Sequence, residues 1–229
     1  MKIGGFQKLS LIDFPDHICS IVFTGGCLFR CSYCHNPDLI PFPKQSTVSQ
    51  DEVLDYLKKH ATIIGGVCIT GGEPTMQSDL KEFIQKVKKH GFDVKLDTNG
   101  IQPHTIEHLL EENLLDYIAM DLKAPWSKYL QVIKFGNEKT IANVRETFCI
   151  IQESGVPHEF RTTIFPGVHT VTDFEEMVSY LKEGEKYYIQ NTSFRRTLDP
   201  LLPREIGFSA PALTERLRER FPMLCIQER

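Results

Sequence analysis

A chain of 229 residues, 41% hydrophobic and 24% charged, has the composition of one soluble globular domain with a sizeable core. Its formal net charge of −4 removes the electrostatic reason to expect a nucleic-acid partner, which normally requires a basic face. Residues 1–14 mix Lys2, Gln7, Lys8 and Asp13 with apolar residues, and no run approaches the ~18 apolar residues that span a bilayer, so the expectation is a cytoplasmic protein without leader or membrane span.

In chain order, β-branched apolar runs predict strands over residues 18–24, 66–70, 93–98, 116–122, 158–165 and 186–190. Helical periodicity predicts helices over 50–60, 80–90, 105–112, 138–153 and 173–182. Ser49 followed by Glu52 reads as a capping box, and Gly91 as the stop of the second helix. Leu80, Phe83, Ile84 and Val87 share one face of that helix, the stripe expected against a sheet. Six strand–helix units imply a parallel sheet with right-handed crossovers and are too few for an eightfold barrel. The expected architecture is therefore α/β: a partial, open (β/α)6 barrel in a single domain over 1–229. Its core covers about 6–190, and 191–229 form a tail with a last helix near 211–221 and otherwise surface. The site is expected at the C-terminal strand ends.

Seven cysteines, an odd number in a reducing compartment, point to metal or reactive thiols rather than disulfides. Three of them follow the first predicted strand in Gly25-Gly26-Cys27-Leu28-Phe29-Arg30-Cys31-Ser32-Tyr33-Cys34-His35-Asn36. Thiolates at C-x3-C-x2-C on one loop suit an iron–sulfur cluster, and three ligands leave one iron open. Structural zinc in a Cys3His site, with His35 as the fourth ligand, is the alternative. Cys19, Cys68 and Cys149 read as buried inert thiols, and Cys225 has no evident partner.

C-x3-C-x-aromatic-C after a first strand resembles the signature of radical S-adenosylmethionine enzymes. The flanks Leu11-Ile12-Asp13-Phe14-Pro15 and Tyr33-Cys34-His35-Asn36-Pro37 make the chain similar, over about residues 6–165, to the activating enzymes of glycyl-radical enzymes. In particular it resembles the group named as anaerobic ribonucleoside-triphosphate reductase activating proteins.

The resemblance implies a [4Fe–4S] cluster on Cys27, Cys31 and Cys34, S-adenosylmethionine as cosubstrate and a flavodoxin- or ferredoxin-like electron donor. Reductive cleavage would yield a 5′-deoxyadenosyl radical that takes a glycine α-hydrogen from a partner protein docked across the open side of the barrel. It assigns the methionyl amine to Gly71, Gly72 and Glu73, further cofactor contacts to Tyr33, His35, Asp121, Lys123 and Arg161, and a substrate contact to Asp13. Asp97, Thr98 and Asp121 would hold a monovalent cation. Gln190 stands where relatives often place a histidine, and Asp16 follows Pro15 where they carry glycine. Read without the resemblance, Asp97-Thr98-Asn99-Gly100 is a turn and Lys123 a solvated lysine. A radical enzyme acting on a small molecule, such as a deazapurine-forming synthase, is the other enzymatic reading.

Overall fold

The computed structural model describes residues 1–205 and 207–229. The chain divides into two compact units, each assembled from separated stretches: Met1–Leu28, Asp38–Ala119 and Asn143–Pro157 in the first; Phe29–Pro37, Met120–Ala142 and His158–Arg229 in the second.

In the first unit β1 (Ile3–Ser10) pairs antiparallel with β2 (Cys19–Thr24), Phe6 opposite Val22. Strand β2 is parallel to β3 (Gly66–Gly71), with Ile21 opposite Cys68, and β3 to β4 (Asp93–Thr98), with Cys68 opposite Lys95. Their crossovers are α1 (Gln50–Lys59) and α2 (Leu80–Lys89). Helix α1 starts at the expected capping box, Ser49 Oγ accepting from Glu52 N and Glu52 Oε2 from Ser49 N. Helix α2 buries its predicted stripe completely, and Gly91 beyond it takes φ +82°. Helix α3 (Pro103–Glu111) opens on proline, whose missing N–H has no helical partner to lose there.

Strand β5 (Tyr117–Asp121) runs from the first unit into the second along the chain. Ile118 N donates to Pro157 O in the first unit, and Leu122 N to Arg161 O in the second. After it come the short helix α4 (Tyr129–Ile133) and the long α5 (Glu138–Glu153). In the second unit β6 (His158–Thr163), β7 (Lys186–Gln190) and β8 (Cys225–Glu228) are parallel, Phe160 opposite Tyr187 and Tyr187 opposite Ile226. Helix α6 (Val171–Val178) begins at a capping box made by Thr170 and Asp173, and α7 (Ala210–Arg220) at Ser209.

All six predicted strands form, and β1 and β8 join them. Strand β1 escapes a pattern reading because Gly4, Gly5 and exposed Gln7, Lys8 and Leu9 dilute its alternation. Strand β8 is four residues long and buries only Ile226. Two expectations are corrected. Cys149 is exposed rather than buried, and the tail is more than surface. Arg229 donates to both oxygens of fully buried Glu159 at 2.8 and 3.3 Å, a bidentate pair that ties the C-terminus to β6. Leu198 N and Asp199 N donate to Cys34 O and Ser32 O at 3.0 and 2.9 Å. The tail thereby braces the backbone of the cysteine loop.

Candidate active site

In the first unit the site is organised around Glu73, which follows β3 and is only 1% exposed. Its Oε1 accepts from Thr75 N (3.1 Å), Thr75 Oγ1 (2.6 Å) and Thr98 Oγ1 (2.8 Å); Oε2 accepts from Asn99 N (2.7 Å). Burial raises its carboxyl above the ordinary range, and these four donors oppose that rise. Asn99 carries the chain of contacts onward, its Nδ2 lying 3.7 Å from Cys27 Sγ, while its Oδ1 accepts from Ile101 N.

Gly71 and Gly72 pack backbone against backbone. A Cβ on Gly71, where φ is +114°, would stand 2.4 Å from Thr24 N, and one on Gly72 would stand 2.3 Å from Gly26 O. The glycines let the end of β3 lie against the start of the cysteine loop, where Gly72 N donates to Thr24 O and Glu73 N to Gly26 O, both at 2.8 Å. Asp13 accepts from Ser10 Oγ, between exposed Leu11 and Ile12 before it and buried Phe14 after it.

In the second unit Asp121, at the end of β5, accepts from Lys123 Nζ at 3.2 Å and Arg161 Nε at 3.0 Å. Burial pushes its carboxyl up, but the two cations outweigh it and hold Asp121 at about 2. Arg161 also lies 4.0 Å from buried Glu159, so two cations and two carboxylates meet here, and Lys123 and Arg161 are the groups suited to an anionic ligand. Because Asp121 sits below its unfolded value, its ion pairs contribute full stability above the ordinary carboxylate range, lost as pH falls toward 2. The gap in thermal midpoint between wild type and Asp121→Asn is therefore expected to narrow steadily from about pH 5 to about pH 2. A constant gap in melting curves over that range would refute the pairing.

Tyr33 is buried edge-on to Phe165, ring centroids 5.2 Å apart, and its hydroxyl finds no hydrogen-bond partner among the described residues. Burial lowers the pKa of His35, which favours neutral imidazole. Gln190 Oε1 accepts a long hydrogen bond from Thr163 Oγ1 (3.4 Å). His169, which the sequence reading missed, fixes the neighbouring loops. Phe165 N donates to its Nδ1, so the ring proton sits on Nε2, 3.0 Å from Lys123 O. Burial lowers His169 to about 4, keeping it neutral in that clamp.

Cys27 and Cys31 are buried and Cys34 is half-buried. Burial raises the Cys31 thiol, opposed by Lys123. Among the described residues no three His, Cys, Asp or Glu side chains are gathered as a single-ion site. An iron–sulfur cluster spreads its thiolates over separate irons, so it asks for a wider set than one ion does. A three-thiol loop with an amide aimed at Cys27 Sγ fits such a cluster, because hydrogen bonds to sulfur are among the groups that tune it.

The cation expected at Asp97, Thr98 and Asp121 does not fit these residues. Asp97 is ion-paired with Lys95, Thr98 donates to Glu73, and Asp121 is held by Lys123 and Arg161.

A model of the Radical SAM superfamily matches residues 21–181. The chain belongs to that superfamily. Its members use a [4Fe–4S] cluster and S-adenosylmethionine. Over 193 residues, 82% of this chain and 78% of the relative, it is 33% identical to a Methanocaldococcus jannaschii protein named as a glycyl-radical enzyme activating enzyme. It is 35% identical over 130 residues to the pyruvate formate-lyase 1-activating enzyme of Escherichia coli K12, covering 53% of this chain and 52% of that enzyme. Among solved structures, Streptococcus suis SuiB bound to S-adenosylmethionine matches 91% of this chain with TM-score 0.68 at 14% identity, and this chain spans 51% of SuiB. Methylornithine synthase matches 90% of this chain with TM-score 0.63 at 16% identity. These structural likenesses bear out the expected α/β fold of radical SAM proteins, and the relatives support the activating-enzyme subfamily. No helix among the described residues is long and apolar enough to cross a membrane.

Proposed function

We propose that this radical SAM enzyme generates a glycyl radical on a larger partner protein in the cytoplasm, with an anaerobic ribonucleoside-triphosphate reductase as that partner. The observation that carries the reading is the 33% identity, over 82% of the chain, to a relative named for activating glycyl-radical enzymes. In this reading Cys27, Cys31 and Cys34 ligate the cluster. When bound and reduced, by a flavodoxin- or ferredoxin-like donor, the cluster supplies the electron that splits S-adenosylmethionine into methionine and the 5′-deoxyadenosyl radical that takes the glycine α-hydrogen.

The protein's own residues bind and orient. Lys123 and Arg161, the two cations beside Asp121, receive the methionyl carboxylate. Glu73 holds the ends of β3 and β4 at fixed spacing, so the backbone after Gly72 meets the amine in a set geometry. Tyr33, His35 and Gln190 line the remainder of the cofactor's path, with the orphaned Tyr33 hydroxyl available to a polar atom. Asp13 faces the partner, flanked by exposed Leu11 and Ile12 that offer apolar contact.

Anaerobic mixing of reduced protein, S-adenosylmethionine and a candidate reductase tests the reading by electron paramagnetic resonance. A glycyl doublet is expected that disappears with a Gly→Ala partner and weakens with Asp13→Ala. Turnover of a small molecule without any partner, and no doublet with one, would replace this reading with a small-molecule radical enzyme.

A further inference from the structure

Strand β4 carries a lysine that the proposed chemistry leaves unused. Lys95 and Asp97 are two residues apart and so share one face of the strand. Lys95 is 2% exposed, the Asp97 side chain 15%, and Lys95 Nζ is ion-paired with Asp97 Oδ1. The ammonium also lies 3.8 Å from Sγ of Cys68, its register partner on β3 and itself buried. A sulfur is a weak acceptor, so Asp97 supplies the compensating charge that a buried ammonium requires.

We propose that the Lys95 ammonium is the resident monovalent cation of the Asp97 carboxylate, so that this enzyme needs no sodium or potassium there. The neighbouring groups agree. The Thr98 hydroxyl donates to Glu73 at 2.8 Å and accepts from Gly100 N at 3.0 Å, so its proton and one lone pair are committed. Asp121, the other carboxylate of the expected cation site, is already paired with Lys123 and Arg161. An inorganic cation beside any of these carboxylates would compete with a side-chain cation already attached to the same chain, whose effective concentration no free ion matches. Choosing S-adenosylmethionine as the ligand to monitor rests on the proposed function; the Lys95–Asp97 pair does not.

The test compares sodium, potassium and tetramethylammonium chlorides at equal ionic strength, tetramethylammonium being too bulky to coordinate to carboxylates. Two readouts are taken: the thermal midpoint of the metal-free chain, and S-adenosylmethionine affinity of the reconstituted protein. For wild type, the midpoint is expected to be equal in all three salts and the affinity to stay within about twofold. Lys95→Met removes the ammonium from Asp97, so it should bind S-adenosylmethionine about tenfold more weakly in tetramethylammonium than in potassium. Lys95→Met combined with Asp97→Asn should lose that salt preference. A wild-type midpoint or affinity that rises when sodium or potassium replaces tetramethylammonium would overturn the proposal. The wild-type arm decides the matter even where Lys95→Met does not fold. Absence of S-adenosylmethionine binding in every salt would count against the proposed function, and the midpoints would still judge Lys95.

Discussion

Glu73→Ala is expected to destabilise the cofactor-free protein by about 3–5 kcal/mol, lowering its thermal midpoint by roughly 10 °C. The carboxylate is the common acceptor of four donors, two of them backbone amides, and alanine leaves all four buried and unpaired. Glu73→Gln should cost less, about 1–2 kcal/mol. An amide must turn its NH2 either toward Thr75 N or toward Asn99 N, so one donor faces another in each orientation. Iron incorporation should fall with Glu73→Ala as well, because Asn99 is held by Glu73 and reaches Cys27. This differs from a simple amine contact, whose loss would weaken cofactor binding and spare the iron. Equal urea midpoints for wild type and Glu73→Ala would remove the structural role argued for this residue.

Cys27→Ala, Cys31→Ala and Cys34→Ala are each expected to abolish the cluster. A reconstituted wild-type chain should carry about four irons with absorbance near ~410 nm, and each variant almost none. Three thiolates already leave the cluster one protein ligand short. Cys19→Ala and Cys68→Ala should retain it. Cys19 and Cys68 pack with Phe14, Ile21 and Tyr117 in the first unit's core, and burial pushes the Cys19 thiol up to about 11, so it stays protonated at neutral pH. Cys149 and Cys225 are exposed, and their substitution should leave iron content unchanged. Iron and absorbance measured side by side check the whole series, and cluster loss in Cys19→Ala or Cys68→Ala equal to that in Cys31→Ala would break the assignment.

What was legible in the sequence was whatever has a local signature. Strands β2, β3 and β5 are largely apolar runs ended by glycine or a polar residue, and the capping box at Ser49 and the stop at Gly91 lie within a few residues of the helices they bound. The cysteine loop is legible for the same reason, its three thiols falling within eight residues.

What escaped depends on partners far along the chain. Lys95 in Val94-Lys95-Leu96-Asp97 reads as the polar position of an alternating strand, hence solvated; only its register with Cys68 and its pairing with Asp97 show it buried. Glu73 reads as a ligand carboxylate; that it also accepts from Thr98 and Asn99, about 25 residues on, shows only in the fold. His169 carries no motif, and its role lies in two backbone groups, one of them on Lys123. The tail looked like surface because Leu198 and Asp199 brace the cysteine loop through main-chain amides, which leave no trace in residue type.

The central claim is that the Cys27–Cys31–Cys34 loop supports reductive cleavage of S-adenosylmethionine. The most direct measurement is chromatographic quantification of 5′-deoxyadenosine formed by reconstituted, dithionite-reduced protein under strict anaerobiosis, with no partner present. Slow formation is predicted for wild type, with one methionine released per nucleoside, and none for Cys31→Ala. A wild-type chain that carries its irons, binds S-adenosylmethionine and releases no 5′-deoxyadenosine would contradict the account, as would equal release by Cys31→Ala.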